Sequence, residues 1–254
     1  MISGGEQSGP TTAADVRAAV TAVVESTFDS LNRIAGAMTA VWDVLEDRRT
    51  TPRSADLAGL RGVVFAELNV HRTLFHGAGV VVAEGLLTDQ PRYLEWWRND
   101  SRRGGPAQPL QLDLNPGSEY FYDYTSMQWF TTPRDDGTRT VHGPYLDFTG
   151  VDLTICTFAV PVRSQHGRFL GIAGADVPVA SIDAILIPAF RASGAPLALI
   201  NAEGRVIAAN DPEHLPGSRL RHGVPGLRHP VPGTPWTLVA LSSDRRPWSP
   251  AADR

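Results

Sequence analysis

Residues 143–179, GPYLDFTGVDLTICTFAVPVRSQHGRFLGIAGADVPV, constrain the fold more than any other stretch of the chain. Apolar and polar residues alternate through Leu153, Ile155 and Thr157, which reads as one strand. Phe169 to Val177 reads as its antiparallel partner across a turn at Ser164 to Arg168. Gly171, Ala173, Gly174 and Ala175 carry little side-chain bulk, so a backbone or a ligand is expected to approach closely there. Asp176 closes this apolar run. A carboxylate at such a place must find a hydrogen-bond or charge partner or bear a desolvation cost of several kcal/mol, so it reads as an acceptor for a ligand amine.

The second constraint is periodicity near the N-terminus. Val16, Val20, Val23, Val24, Phe28, Leu31, Ile34, Ala35, Met38, Val41, Trp42 and Leu45 recur at steps of three and four, with Arg17, Glu25, Asp29 and Arg33 on the other face. The spacing predicts a helix within residues 11–50, capped by Thr11 or Thr12 and ended before Pro52. Such a helix is about 50 Å long at ~1.5 Å per residue. Its stripe fits either the core of one monomer or a dimer seam.

Between helix and hairpin lie an apolar segment, Leu57 to Leu68, and a strand, Gly77 to Ala83. The aromatic cluster of Tyr93, Glu95, Trp96 and Trp97 follows. Neighbours on a strand point to opposite faces, so one indole can enter a pocket while the other covers a core; two structural aromatics is the alternative. Arg103, Gly104, Gly105 and Pro106 mark a mobile turn. After residue 190, Leu197 to Ile200 and Val206 to Ala209 flank the turn Asn201–Gly204, and Leu227 to Val231 faces Trp236 to Leu241. Four short strands leave scant room for a second pocket, so this part is expected to be structural.

Composition removes whole classes of function. The single Cys156 sits among apolar strand residues and is expected to be buried and inert. A formal charge of -4 and a pI near 6.0 argue against nucleic acid or an anionic membrane as partner. Lysine is absent, which excludes a lysine Schiff base or a P-loop lysine. His71 and His76 lack the spacing of a helical zinc pair, and His214, His222 and His229 lie in proline- and glycine-rich loops. No metal and no cofactor are expected.

The pattern G-P-Y-x-D, an apolar strand ending in A-V-P-V, then G-R-F-x-G-I-x-G-A-D-V-x-V and an apolar helix resembles the Cache family of PDC sensors. These are PAS-like ligand-binding modules of chemoreceptors and sensor kinases. The resemblance is specific over Tyr120 to Phe190, looser over His71 to Asp100, and over Gly194 to Leu241 is similar to a shortened second module of a double Cache arrangement. It implies an α+β fold: a long N-terminal helix packed beside a PAS-like antiparallel-sheet Cache module and a smaller second β-rich module. The expected organisation is a disordered N-terminus at 1–10, the helix at 11–50, the ligand-binding module at 52–190, the second module at 191–242 and a disordered tail at 243–254.

The same resemblance implies a binding site. Tyr122 matches the first pocket tyrosine of amino-acid sensors in the family, Trp129 and Phe130 the aromatic pair, Tyr145 a further tyrosine and Asp176 the ammonium acceptor. Met127 stands where those sensors carry an arginine. Methionine cannot replace the bidentate grip of a guanidinium on a carboxylate. Aromatic faces and carboxylates remain, with Asp123, Asp147, Glu95 and Trp96 as further candidates. They suit a small amine or quaternary ammonium compound held by cation–π contacts. Arg134 could restore a carboxylate contact, which keeps an amino acid open, and turn capping is the competing role for Asp123 and Asp147.

The family resemblance thus implies a small-molecule sensor, not an enzyme, that passes its signal to a regulatory partner through a possible homodimer. Two alternatives stand beside it: an interaction module with a vestigial pocket docking a transcription regulator or kinase, and an acid–base enzyme using Asp176 with His142. The first 15 residues lack the basic start and apolar core of a secretory signal, and no stretch has the ~20 apolar residues of a membrane span. The resulting expectation is a soluble, cytoplasmic, stand-alone sensor, with a trimmed ectodomain of a membrane receptor as the other possibility.

Overall fold

The computed structural model describes residues 11–99, 105–147, 153–221 and 223–242. The expected disordered ends at 1–10 and 243–254, His222, and Arg103 and Gly104 of the glycine turn lie outside the described residues.

The first helix, α1, runs over Ala13–Asp47. It starts where the chain supplies its own cap. The Asp15 N–H donates to Thr12 Oγ1 at 3.3 Å and the Thr12 N–H returns a bond to Asp15 Oδ2 at 2.7 Å. This reciprocal capping box satisfies donors that the first turn leaves open. The helix stops at Arg49, which adopts a left-handed φ of 51° and lets the Thr50 N–H reach back to the Leu45 carbonyl at 2.9 Å.

Two antiparallel sheets lie beside α1. The larger contains β1 (Gly77–Val82), β2 (Tyr93–Arg98), β3 (Gln108–Pro109), β4 (Thr140–Asp147), β5 (Leu153–Arg163) and β6 (Phe169–Pro178), in the order β3-β2-β1-β6-β5-β4. The smaller contains β7 (Leu197–Ile200), β8 (Val206–Ala209), β9 (Gly226–Pro230) and β10 (Thr237–Leu241), in the order β8-β7-β10-β9. Helix α2 (Arg61–Val70) packs near β1, α3 (Gln128–Asp135) lies over β5 and β6, and α4 (Val179–Ala192) joins the two sheets. The three hairpins expected from the sequence, β5–β6, β7–β8 and β9–β10, all form.

The apolar stripe of α1 is consumed inside the monomer. Val16, Val20, Val24, Phe28, Leu31, Ile34, Met38 and Trp42 are buried, with α1 packed on the first sheet, α2 and α4. Each large apolar side chain placed there contributes about 1.5–3 kcal/mol. Phe28 meets Phe158 of β5 edge-on at 5.4 Å, and Phe158 meets Trp236 beside the second sheet at 5.7 Å. One core therefore runs through α1, the first sheet and the second. Leu31 and Met38 are fully covered by their own chain, so the stripe is not a dimer seam.

Polar groups tie the first two helices together. Arg33 grips Glu67 of α2 with two bonds, of 2.6 and 2.8 Å, and Ser30 pairs with His71 at 2.8 Å. Arg33 holds the Glu67 carboxyl below its ordinary range.

Candidate functional site

Side chains on the two faces of the first sheet follow from its register. Cys156, Phe158, Ala173, Ala175 and Val177 point to α1 and the shared core. Cys156 is fully buried there, and desolvation pushes its thiol well above the ordinary range. The other face carries Trp96, Gly174 and Ala159 in one row and Gly77, Asp176 and Thr157 in the next. Residues 110–130 and α3 cover this second face and close a cavity over it.

The cavity is lined by Trp96, Tyr122, Tyr124, Trp129, Tyr145, Asp147, Thr157 and Asp176, with Val81, Leu94, Leu110, Leu112 and Ile155 as its apolar wall. Its empty space is about 450 Å³ with the open mouth included. The room for water-sized occupants is about 40 Å³, a few water positions. Such a site takes a molecule of few heavy atoms.

Asp176 is the charged centre of this wall. Thr157 Oγ1 donates to Asp176 Oδ1 at 2.8 Å, and Tyr145 Oη lies 2.6 Å from Thr157 Oγ1. With the Thr157 proton given to the carboxylate, Tyr145 is the donor of the second bond. The Thr157 bond favours the ionised acid, and so does the more distant charge of Arg98, while Asp147 opposes it. Desolvation outweighs all of these and pushes the carboxyl up to about 7. Asp176 keeps some accessible surface, and its place in the lining turns that surface to the cavity. Burial also drives the hydroxyls of Tyr122 and Tyr145 above their ordinary range, so both stay neutral donors.

Local sequence explains the aim of each group. Between His142 and Tyr145 the β4–β5 register slips at a bulge. Gly143 sits there at a φ of +117°, and a Cβ would come within 2.7 Å of the Ile155 carbonyl oxygen, so only glycine fits. Asn201 of the second sheet region donates to the Gly143 carbonyl at 2.9 Å and fixes the bulge. Tyr145 is thereby turned towards the cavity. The low bulk at Gly174 makes room for the Trp96 indole, since a Cβ there would lie 3.2 Å from Trp96 Cη2. Gly77 serves the same ring: its Cβ would meet Trp96 Nε1 at 2.7 Å. At Gly171 the close neighbour is the backbone of Val81.

The structure brings together Tyr122, Trp129, Tyr145, Asp147, Asp176 and Trp96 of the sequence-derived candidates. It separates others. Phe130 is buried behind the lining, edge-on to Tyr124 and Phe169, because the start of α3 turns it inwards. Met127 packs against the same cluster and is not in the cavity wall. Asp123 caps a turn by accepting from the Thr125 N–H at 3.1 Å and faces Arg92 at 3.9 Å. Arg134 pairs with Asp135 and donates to the Thr125 carbonyl, outside the lining.

Glu95 lies on the opposite face of β2 from Trp96. It is buried and accepts from Arg61, Tyr93 and Trp97 at 2.9, 2.6 and 2.8 Å. His142 is not in the cavity lining; burial lowers its pKa and Glu203 is the acid that opposes this. The proposed acid–base pair with Asp176 is therefore not assembled around the cavity.

Sequence reasoning missed Thr157, Tyr124, Leu110 and Leu112 as wall residues. Thr157 was within reach, because counting back from the turn places it opposite Asp176. The leucines carried no signal, since residues 105–123 have almost no regular structure. Tyr124 was readable only as an aromatic; its hydroxyl donates to the Val82 carbonyl at 2.8 Å and pins the covering segment to β1.

Residues 107–184 match the family described as "methyl-accepting chemotaxis protein-like, first PDC sensor domain". Over those residues the chain is similar to a PDC-type sensor domain, in agreement with the Cache resemblance of its motifs. Solved structures with the same fold include the extracellular domain of a candidate histidine kinase, mmHK1S-Z3, at 13% identity and a TM-score of 0.60, covering 86% of this chain and 87% of that one. The ligand-binding domain of the Pseudomonas aeruginosa chemoreceptor PctC, in complex with GABA, is 16% identical with a TM-score of 0.55, covering 89% and 94%. That of PctB from the same organism, in complex with L-arginine, is 14% identical with a TM-score of 0.57, covering 90% and 91%. No curated protein matches the chain in sequence.

These similarities overturn the cytoplasmic placement. The matched family is a chemoreceptor sensor domain, and one structural relative is an extracellular domain. Among the described residues no helix is long and apolar enough to cross a membrane.

Proposed function

We propose that this chain is a sensor domain that binds a small organic amine as its cation, and that its N-terminal helix passes the bound state to a regulatory partner. The observation that carries the reading is the half-buried Asp176 at the wall of a small cavity framed by Trp96, Tyr122, Trp129 and Tyr145. An incoming ammonium group gives the carboxylate the counter-charge it lacks, and each aromatic face adds about 0.5–2 kcal/mol of cation–π attraction. Structural relatives in complex with GABA and L-arginine support a ligand that bears an amine.

The lack of a cationic carboxylate clamp among the described lining residues favours an amine over an amino acid, and Met127, which packs outside the wall, supplies none. Met127 occupies the position of the family's carboxylate-binding arginine, and Arg134 is engaged elsewhere. A carboxylate brought beside Asp176 and Asp147 would add desolvation and like-charge repulsion. Signal transfer has a physical route, because α1 packs directly on β5 and β6, the strands that carry Thr157 and Asp176.

The test is calorimetry at pH 8 with n-propylamine, ethanolamine, L-alanine and GABA. The amines are expected to bind more tightly than L-alanine, and Asp176→Ala to weaken amine binding about ten- to a hundredfold. Tighter binding of L-alanine by the unmodified chain, or unchanged amine affinity in Asp176→Ala, would overturn the reading.

A further inference from the structure

The wall of the cavity contains a second polar group that the amine reading does not use. Trp96 is 5% exposed, and its Nε1 has no hydrogen-bond partner among the described residues. Two other indoles are treated differently. Trp97, one residue later on the opposite face, donates to Glu95 at 2.8 Å, and Trp42 donates to Glu46 at 2.8 Å. Trp236 shares the unpartnered state but lines none of the cavities described above. Among the fully buried side-chain donors left without a partner in the described residues, Trp96 Nε1 is the one that belongs to the cavity wall. Buried donors are nearly always paired, so an exception within a site points to the ligand.

Register places that donor beside the charge. Gly77 of β1 pairs with Asp176 on one side and Arg98 on the other, and its missing side chain leaves the space where Trp96 Nε1 lies. A donor and an anionic acceptor thus stand next to each other on one face of the sheet. The Arg98 stem lies over the same glycine, 3.4 Å from where its Cβ would be.

We infer that Trp96 Nε1 is a specificity-determining donor, and that the ligand is a small amine with a neutral hydrogen-bond acceptor, such as a hydroxyl or ether oxygen, two or three bonds from its nitrogen. The inference rests on the amine reading of Asp176. A neutral acceptor fits better than a carboxylate because Asp176 and Asp147 both face this wall. A ligand without an acceptor would leave the indole N–H unsatisfied, and sites built around a donor reject such analogues.

Ethanolamine and n-propylamine test this, since they differ by a hydroxyl in place of a methyl group. Ethanolamine is expected to bind about tenfold more tightly to the unmodified chain. Trp96→Phe keeps an aromatic face but removes the N–H, so the ratio of ethanolamine to propylamine affinity should fall to about one, whatever the absolute affinities become. In parallel, ¹⁵N-indole NMR of the unmodified chain reads the N–H directly and does not depend on the variant folding. One indole resonance should move on adding ethanolamine and stay with propylamine. Equal affinities with no selective indole shift would overturn the role of Trp96 and leave the amine reading of Asp176 intact. Failure of both amines to bind would overturn both.

Discussion

Replacing Asp176 with asparagine should stabilise the unliganded protein at high pH while destroying its grip on a cation. In the folded chain desolvation pushes the carboxyl from 3.8 to about 7, so the native state holds a proton that the unfolded state releases. A folded-state pKa above the unfolded value contributes stability that is complete below about pH 4 and is lost as pH rises through about 7. At ~1.4 kcal/mol per pH interval, the loss is on the order of 4 kcal/mol by pH 8, an upper value because Asp176 keeps some contact with the cavity. Asparagine is isosteric, is neutral at every pH and can still accept the Thr157 hydroxyl. Urea unfolding of parent and variant between pH 4.5 and 8.5 measures the difference, and groups common to both cancel. Asp176→Asn should exceed the parent by about 1 kcal/mol at pH 4.5 and by up to several kcal/mol at pH 8. A pH-independent difference, or a variant less stable at pH 8, would refute the claim that desolvation dominates at this carboxyl.

Three further outcomes follow from the packing. Glu95→Leu should cost on the order of 3 kcal/mol in urea unfolding, because the Tyr93 hydroxyl and Trp97 indole lose a buried acceptor. Arg49→Gly should raise stability by about 0.5–1 kcal/mol by relieving a left-handed non-glycine residue at the end of α1, read as a higher urea midpoint. Leu31→Asp should cost more than 3 kcal/mol and be visible as lost secondary structure by circular dichroism at any protein concentration, because that residue is buried within one monomer.

What the sequence disclosed was local. The cap at Thr12, the stripe of α1 and the β5–β6 hairpin depend on neighbours a few residues apart, and their periodicities are visible without a fold. The splitting of Trp96 and Trp97 to opposite faces followed from strand geometry alone. Periodicity could say that Leu31 and Met38 are covered, but not by what, and the cover turned out to be the chain's own sheets. Phe130 and Trp129 are adjacent aromatics of equal promise on paper; the turn into α3 sends one into the cavity wall and the other behind it. Glu95 read as a candidate ligand contact because its environment depends on Arg61, 34 residues away. The cytoplasmic expectation rested on the lack of a signal-like or membrane-spanning run in the residues read, and the similarity to chemoreceptor sensor domains overturned it.

The core threaded through α1 and both sheets has an evolutionary and practical corollary. Phe158 lies edge-on between Phe28 and Trp236, so its burial draws on three separate regions of the chain. Excising the smaller sheet would bare that ring and the adjoining leucines of β7 and β10 to water. The cavity cannot be transplanted as a six-stranded cassette; recombination or engineering must carry the helix and both sheets as one indivisible inheritance.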